Sequence, residues 1–406
     1  MPDGLQLAIT PSAIVNYDLS YNKDSAFLGL DVDFAGFGSL NANQESIGEY
    51  INRIQSRGST SKLSTLVSGL FALPDSEDLA SAYNTMSPEI YASSFTSLKF
   101  AISEFMDSMM RCPQPNTKSK FIAEGDCVWI VSEASQYNGQ GSSDYFGFNS
   151  VFGGVASGLQ FDLGDDIYLG FSVGRNSYST FVTSSPGDKG NVNAGLSGSS
   201  WQAGMSLKAV FDRLKLAFSA AGGTSSFDAF RRNVFSSGAT ANGEQHIGFF
   251  GVEGRASYES KFKYNGYLRH SIKLAYQGMQ HYQFNESGAD ELNLKVSSGY
   301  QDYFIVNPSI EIGAEHRIGS LLFKPSVKLG YSGFYGSSGI CSRFKGAPAS
   351  VSCFPVNGLA DENFFNASVG FDLLMKSGIT ISAKYDSLYS FSSSSHGGSI
   401  GISISF

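Results

Sequence analysis

The chain is poor in charged residues and contains no long apolar segment. Charged residues make up only 16% of its 406 residues, and no run of Lys or Arg accompanies the net charge of -8. Because nucleic-acid phosphates are bound by clustered basic side chains, we exclude nucleic acid as a partner. No stretch approaches the roughly 18–20 apolar residues that a membrane-spanning helix requires, which excludes a helical membrane protein.

Signals of secretion and of metal binding are also missing. The start, Met1 to Gly4, has neither a basic region nor an apolar core, so the sequence shows no secretory signal. If the chain is an exported protein, it needs such a signal, and we then expect a fragment with Met1 as an added start and the signal peptide missing. The five histidines follow no metal-binding spacing and no Cys-x-x-Cys pair occurs, so we predict no metal and no cofactor.

Glycine and aromatic residues are abundant instead, with 46 Gly, 33 Phe and 20 Tyr. This balance suits transmembrane strands better than a soluble enzyme. The hydrophobic pattern divides the chain into three parts. Short alternating runs occupy residues 1–45, a helical period occupies residues 46–111, and a period of two occupies residues 112–406. We predict short strands, a helical linker and a barrel over these three ranges.

The helical part ends in a long helix that we predict from Pro88 to Met110. Ser87 is placed to cap it, Pro88 to occupy the first helical position, and Glu89 to lie in the first turn. Its apolar face is formed by Ile90, Phe95, Leu98, Phe100, Ile102, Phe105 and Met106. Such a face needs an enclosing partner, and we expect the helix to lie in the lumen of the barrel.

The third part contains twelve segments in which apolar and polar side chains alternate. In the third of them, Leu169 and Phe171 alternate with Gly170 and Ser172. The segments lie near residues 127–132, 146–162, 166–177, 198–211, 214–224, 246–259, 266–281, 300–317, 321–334, 363–375, 379–390 and 398–406. Short links mostly alternate with long loops rich in Ser, Gly and Asn.

Short turns at one end and long loops at the other are typical of an outer-membrane barrel with an even number of strands. A β-sandwich would not produce this regular alternation. We therefore predict an all-β transmembrane barrel of twelve antiparallel up-and-down strands, preceded by a helical linker or plug. The charged residues on the polar strand faces should line its hydrated lumen. They are Lys208, Glu253, Arg255, Lys273, Glu311, Glu315, Lys328, Asp372, Lys384 and Asp386.

Four cysteines form two pairs that are close in sequence. We expect Cys341 and Cys353, within one long loop, to form a disulfide in an oxidising compartment. For Cys112 and Cys127 a disulfide and two free thiols are equally compatible with the sequence.

The last strand carries Ile400, Ile402, Ile404 and Phe406 at alternate positions and ends on the aromatic residue. This ending resembles the signal that the outer-membrane assembly machinery reads. The order of short strands, helical linker and terminal barrel resembles the monomeric autotransporters. The stretches Leu79 to Tyr83 and Ser87 to Ser93 also resemble the linker that precedes their barrels.

The resemblance implies a translocator in the bacterial outer membrane, through which the protein's own N-terminal passenger reaches the cell surface. Residues 1–45 would then be the end of that passenger, and a helix would remain in the pore. Outer-membrane lipid, the assembly machinery and the passenger would be the partners. Independently, a helix about 10–12 Å across matches the lumen that twelve strands enclose.

Two other classes of barrel remain as alternatives. Barrel proteases and phospholipases carry catalytic residues at the outer rim, where His281, Asp290 and His246 are the candidates. A Gly-x-Ser-x-Gly string contains Ser172, but it lies inside a strand rather than at the strand-to-helix turn that hydrolases need. A porin is the other alternative, and the helices before the barrel disfavour it. We expect no enzyme activity.

Overall fold

A computed structural model describes residues 10–36, 38, 40–57, 61–112, 124–142, 145–184, 193–262, 265–336, 338–358 and 362–406. The chain begins with a hairpin of two strands, β1 (Val15–Tyr21) and β2 (Ala26–Val32). Among the described residues four α-helices follow: α1 (Ala42–Ser56), α2 (Ser64–Phe71), α3 (Ser76–Met86) and α4 (Glu89–Ser108). No helix in these ranges is long and apolar enough to cross a membrane.

Within the described residues, twelve long antiparallel strands form a closed barrel, which confirms the predicted fold class. They are β3 (Cys127–Gly139), β4 (Gly147–Gly164), β5 (Ile167–Ser184), β6 (Ala194–Phe211), β7 (Leu214–Arg232), β8 (Thr240–Phe262), β9 (Gly266–His281), β12 (Gly299–Ala314), β14 (Leu321–Gly336), β17 (Glu362–Met375), β18 (Ile379–Tyr389) and β19 (Ser393–Ser405). The last strand pairs with the first, from Ser393 opposite Gly139 to Ser405 opposite Cys127. This closure leaves neither strand with an unpaired edge.

Five short strands complete the sheets: β10 (Phe284–Asn285), β11 (Leu294–Val296), β13 (His316–Ile318), β15 (Gly339–Phe344) and β16 (Phe354–Asn357). Strand β13 pairs with β14 beside the end of β12. The other four form a separate sheet in the order β10-β11-β15-β16, which we call the loop sheet. We call the barrel end with the long loops the loop side and the opposite end the turn side.

The barrel strands present apolar side chains outward and polar side chains inward. Phe171 and Val173 of β5 are exposed on the outer surface, whereas Ser172 between them is buried inside. This alternation follows from the pleat of the strand, which places successive side chains on opposite faces of the sheet. Ser172 therefore lies on a strand wall rather than at a catalytic turn.

The predicted ends of several strands were wrong on the loop side. Strands β5 and β7 continue to Ser184 and Arg232, and β8 already begins at Thr240. In the added segments apolar residues are adjacent, as at Phe181–Val182 and Ala229–Phe230, or scarce, so the alternation of apolar and polar residues fades although backbone pairing continues. The loop sheet was missed because its strands are only two to six residues long.

Helix α4 begins at Glu89, one residue later than predicted, and Pro88 occupies the N-cap position. Ser87 still accepts a hydrogen bond from the Glu89 N–H at 3.3 Å through its Oγ. The difference is within the usual uncertainty of a helix boundary.

Helices α1 to α3, residues 42–86, lie on the loop side, and we call them the outer helices. Helix α1 packs against the loop sheet, where the Tyr50 ring lies 4.9 Å from that of Phe354. The Asn43 amide completes this contact because its Nδ2 donates to the Asn357 carbonyl and its Oδ1 accepts from the Asn357 N–H, both at 2.9 Å. A side chain thus satisfies backbone groups of β16.

Candidate functional site

Helix α4 lies inside the barrel and contacts strands β4 to β9. All seven residues of its predicted apolar face are buried. Glycines of the barrel wall provide the room. A Cβ at Gly174 would lie 2.9 Å from the Phe105 ring, and one at Gly251 would lie 2.9 Å from the Met106 sulfur. The wall and the helix are therefore fitted to each other at close range.

A buried ion pair connects the middle of α4 to the loop side of the barrel. Lys99 Nζ lies 2.6 Å from Glu362 Oε2, and both side chains are almost fully buried. Glu362 also accepts hydrogen bonds from Tyr137 Oη and Ser393 Oγ. Three strands, β3, β17 and β19, are thus bound to the helix through one carboxylate. Lys99 was not predicted as a buried residue because a lone lysine in a helix usually faces solvent.

A second buried cluster joins the start of α4 to strand β7 and the loop sheet. Arg231 donates to both oxygens of Glu286, at 2.8 and 2.6 Å, and also to the Thr85 carbonyl at 2.8 Å. Tyr91 Oη and the Leu294 N–H donate to the same carboxylate at 2.8 and 2.7 Å. The bidentate geometry suits a guanidinium–carboxylate pair, so this cluster holds the linker with strong directional bonds.

Glu89 is the first residue of α4 and lies at the loop-side mouth. It accepts hydrogen bonds from the Phe146 N–H and from Asn43 Nδ2. Burial raises the pKa of its carboxyl group to about 8. Burial beside the outer helices thus favours the neutral form of this carboxyl group.

The C-terminal end of α4, which points to the turn side and which we call its inner end, is held by polar contacts. Asp107 forms ion pairs with Arg255 and with Lys273, the latter at 3.3 Å. Gln277 donates to Ser103 Oγ at 2.9 Å. The side chains of the two Asp107 ion pairs are partly exposed in the lumen, so each of these pairs is weaker than the two buried clusters near the loop side.

The ten charged residues predicted from the strand pattern all lie on the inner wall. Lys208 and Glu253 are buried there, and the other eight line cavities beside and below α4. The larger cavity has a volume of about 310 Å³. Besides the pairs of Arg255 and Lys273 with Asp107, members of the set form ion pairs between Lys208 and Glu124, Arg255 and Glu253, Lys273 and Glu253, Arg269 and Glu311, Lys324 and Glu315, and Lys384 and Asp386.

Several lumen residues were not predicted. Lys215, Arg269 and Lys324 lie on the same inner faces as the predicted set, so their position in the alternation could have identified them. Glu124 could not have been found this way because it precedes the first strand. It forms ion pairs with Lys208 and Lys215 on the turn side.

The structure joins the cysteines as two disulfides. Cys341 and Cys353 lie within the loop-side connection, with 5.5 Å between their Cα atoms. Cys112 and Cys127, whose pairing the sequence left open, have Cα atoms 6.2 Å apart. The second bond connects the region after α4 to the first residue of β3.

The candidate catalytic residues of the rim lie in different surroundings. His281 is buried, with its ring 5.6 Å from that of Phe95, whereas His246 is exposed and lies 3.2 Å from Glu244. Asp290 belongs to a short turn, Asp290–Leu292. In the described ranges, no group of three or more His, Cys, Asp or Glu side chains could hold a metal ion.

Comparisons with known proteins agree with this architecture. The family model described as the autotransporter beta-domain matches residues 128–386. The translocator domain of the autotransporter NalP from Neisseria meningitidis is 12% identical, with a TM-score of 0.59, over 79% of this chain and 100% of that one. The beta domain of the Bordetella autotransporter BrkA is 11% identical, with a TM-score of 0.54, over 70% and 100%. At these identities the solved structures support the fold alone. No curated protein matches the sequence significantly.

Proposed function

This chain belongs to the autotransporter beta-domain family, and from this premise we propose that its barrel, an outer-membrane translocator, delivers the protein's own passenger to the cell surface. The main support for this proposal is the path of α4 through the lumen. The helix starts beside Phe146 on the loop side, and the chain after it is bonded to Cys127 on the turn side. Residues before α4 on the loop side, with the end of α4 on the turn side, are the arrangement that passage of the chain along the lumen would leave.

The proposed division of the chain follows from this path. Residues 1–45 form the end of the passenger, residues 46–111 form the linker with α4 in the lumen, and residues 112–406 form the translocator. Helix α1 packs on the loop sheet, and this contact supports a linker whose outer helices remain bound at the loop side of the barrel. The Cys341–Cys353 disulfide would restrain the same sheet.

The two faces of the barrel wall support the other proposed partners. The outer face exposes large apolar side chains, as a surface in contact with outer-membrane lipid should. The inner face carries the ten charged residues of both signs, which would keep the lumen hydrated for an extended polypeptide. We propose a transport role and no catalysis, because the rim histidines and Asp290 lie in separate surroundings.

Phe406 is the proposed signal for assembly into the outer membrane. Its side chain is 71% exposed on the outer face, and its N–H donates to the Asp126 carbonyl at 3.3 Å. Burial of a single aromatic side chain contributes at most about 2–3 kcal/mol to the stability of a protein. Its loss should therefore affect recognition during assembly more than the stability of the barrel.

Export and assembly can be tested in one experiment, with a signal peptide and an epitope placed before Met1. We expect the epitope to be labelled on intact cells. Phe406→Ser should lower both the amount of barrel in outer membranes and the surface label severalfold, while refolding into detergent stays near normal. The matched change Ser405→Ala should do little.

Two results would count against these proposals. An epitope that is labelled only in broken cells, although the barrel is present in the outer membrane, would contradict export of the passenger. Equal losses for Phe406→Ser and Ser405→Ala, or failure of Phe406→Ser to refold in detergent, would contradict the role given to Phe406.

A further inference from the structure

The Cys112–Cys127 disulfide joins the inner end of α4 to the barrel wall. Helix α4 ends at Ser108, four residues before Cys112, and β3 begins at Cys127. Both cysteines are 1% exposed and their Cα atoms are 6.2 Å apart. The bond therefore fixes the end of the linker at the point where the barrel starts.

Chain length alone would not hold the helix in the lumen. The cysteines are 15 residues apart in sequence. An extended chain spans about 3.3–3.6 Å per residue, so this connection could reach about 50 Å. Helix α4 has 20 residues and, at about 1.5 Å per residue, is about 30 Å long. Without the disulfide, the connection is long enough for the whole helix to leave through the loop-side mouth.

With the disulfide, the two Cα atoms stay within about 7 Å of each other. The end of the helix then cannot move away from the start of β3. The non-covalent polar contacts near this end include the ion pairs of Asp107, the hydrogen bond of Ser103 and a hydrogen bond from Arg111 to Ser399 Oγ at 2.8 Å. Water can replace these contacts, whereas it cannot replace the covalent bond.

We propose that the Cys112–Cys127 disulfide is the end-stop of export, which keeps α4 in the lumen once the residues before it have reached the surface. This inference rests on the proposed function. Formation of the bond removes two electrons and two protons from the thiols, and a disulfide oxidant of the exporting compartment accepts them as two thiols. Helix α4 then continues to block the lumen even when the outer helices detach.

The test compares single-channel currents of three refolded, oxidised full-length chains in planar bilayers. These are the unaltered chain, C112S/C127S, and the matched control C341S/C353S, which lacks the other disulfide. About 2 M urea on the loop side weakens the non-covalent contacts. A chain lacking residues 1–111 defines the conductance of the empty barrel, and heat-modifiable gel mobility verifies that every variant is folded.

We expect C112S/C127S to reach the empty-barrel conductance about tenfold more often than the unaltered chain, because loss of the tether lets the helix depart rather than rebind. The control C341S/C353S should not reach this level more often. Dithiothreitol added to the unaltered chain after insertion should reproduce the behaviour of C112S/C127S, which guards against a folding defect of the variant.

Equal opening frequencies for the unaltered chain and C112S/C127S would overturn the end-stop, as would two free thiols at Cys112 and Cys127 in the unreduced protein. Failure of the proposed function would look different. In that case the epitope placed before Met1 would be labelled only in broken cells, whether or not Cys112 and Cys127 are present.

Discussion

Deletion of residues 1–111 should raise the single-channel conductance of the refolded barrel by at least about tenfold, because a helix about 10–12 Å across is removed from a lumen of similar width. The deletion removes the seven buried apolar residues of α4 and all the outer helices. What remains is a wall lined by charged and polar side chains, through which hydrated ions can pass. Recordings in planar bilayers at fixed salt concentration would measure the change.

A shorter deletion provides the matched control for this experiment. Removal of residues 1–40 eliminates the hairpin β1–β2 but keeps Asn41, the N-cap of α1. The outer helices and α4 remain, so the conductance should equal that of the full chain. Unchanged conductance after deletion of residues 1–111 would mean that α4 does not block the lumen.

Arg231→Ala should lower the free energy of unfolding of the region around the outer helices by about 3–5 kcal/mol, because it leaves the buried Glu286 carboxylate without its charge partner. The variant also lacks the hydrogen bond from Arg231 to the Thr85 carbonyl, which connects α3 to the barrel. Pulse proteolysis in increasing urea, read at sites within the outer helices, would measure the difference.

The neighbouring Arg232 is the matched control. It is exposed, and its guanidinium lies 4.8 Å from the centre of the Phe230 ring. Arg232→Ala should cost no more than about 1 kcal/mol. A double variant, Arg231→Met with Glu286→Gln, should recover part of the loss because no charge is then left unpaired. Equal effects of Arg231→Ala and Arg232→Ala would contradict the role given to the buried pair.

The barrel was predictable because the environment differs between the two faces of every strand. Hydrocarbon outside and a polar lumen inside impose the alternation that is visible at Leu169, Gly170, Phe171 and Ser172. The same rule placed all ten charged residues on the inner wall, because a residue's parity in the strand determines its face. Helix α4 was predictable for a similar reason, since its apolar face has the helical period.

The loop side was not predictable in the same way. At the strand ends there, apolar residues are adjacent or scarce, so β7 and β8 continue without a clear alternation of apolar and polar residues. The contact of Asn43 with Asn357 joins residues more than 300 positions apart, and the pairs Lys99–Glu362 and Arg231–Glu286 also depend on tertiary structure. A single sequence shows that these residues are polar or charged but not which partner each will meet.

Photo-crosslinking from neighbouring residues of β6 would test most directly whether the passenger crosses the lumen of its own barrel. Ser206 is 3% exposed on the inner wall, whereas Leu207 is 46% exposed on the outer face. A photoreactive residue at either position would be activated in cells while a disulfide-bonded domain fused before Met1 stalls export. We expect adducts with the stalled passenger from position 206 and not from position 207. Equal yields from both positions, or no adduct from position 206 while the passenger is partly exposed at the surface, would contradict passage through the lumen.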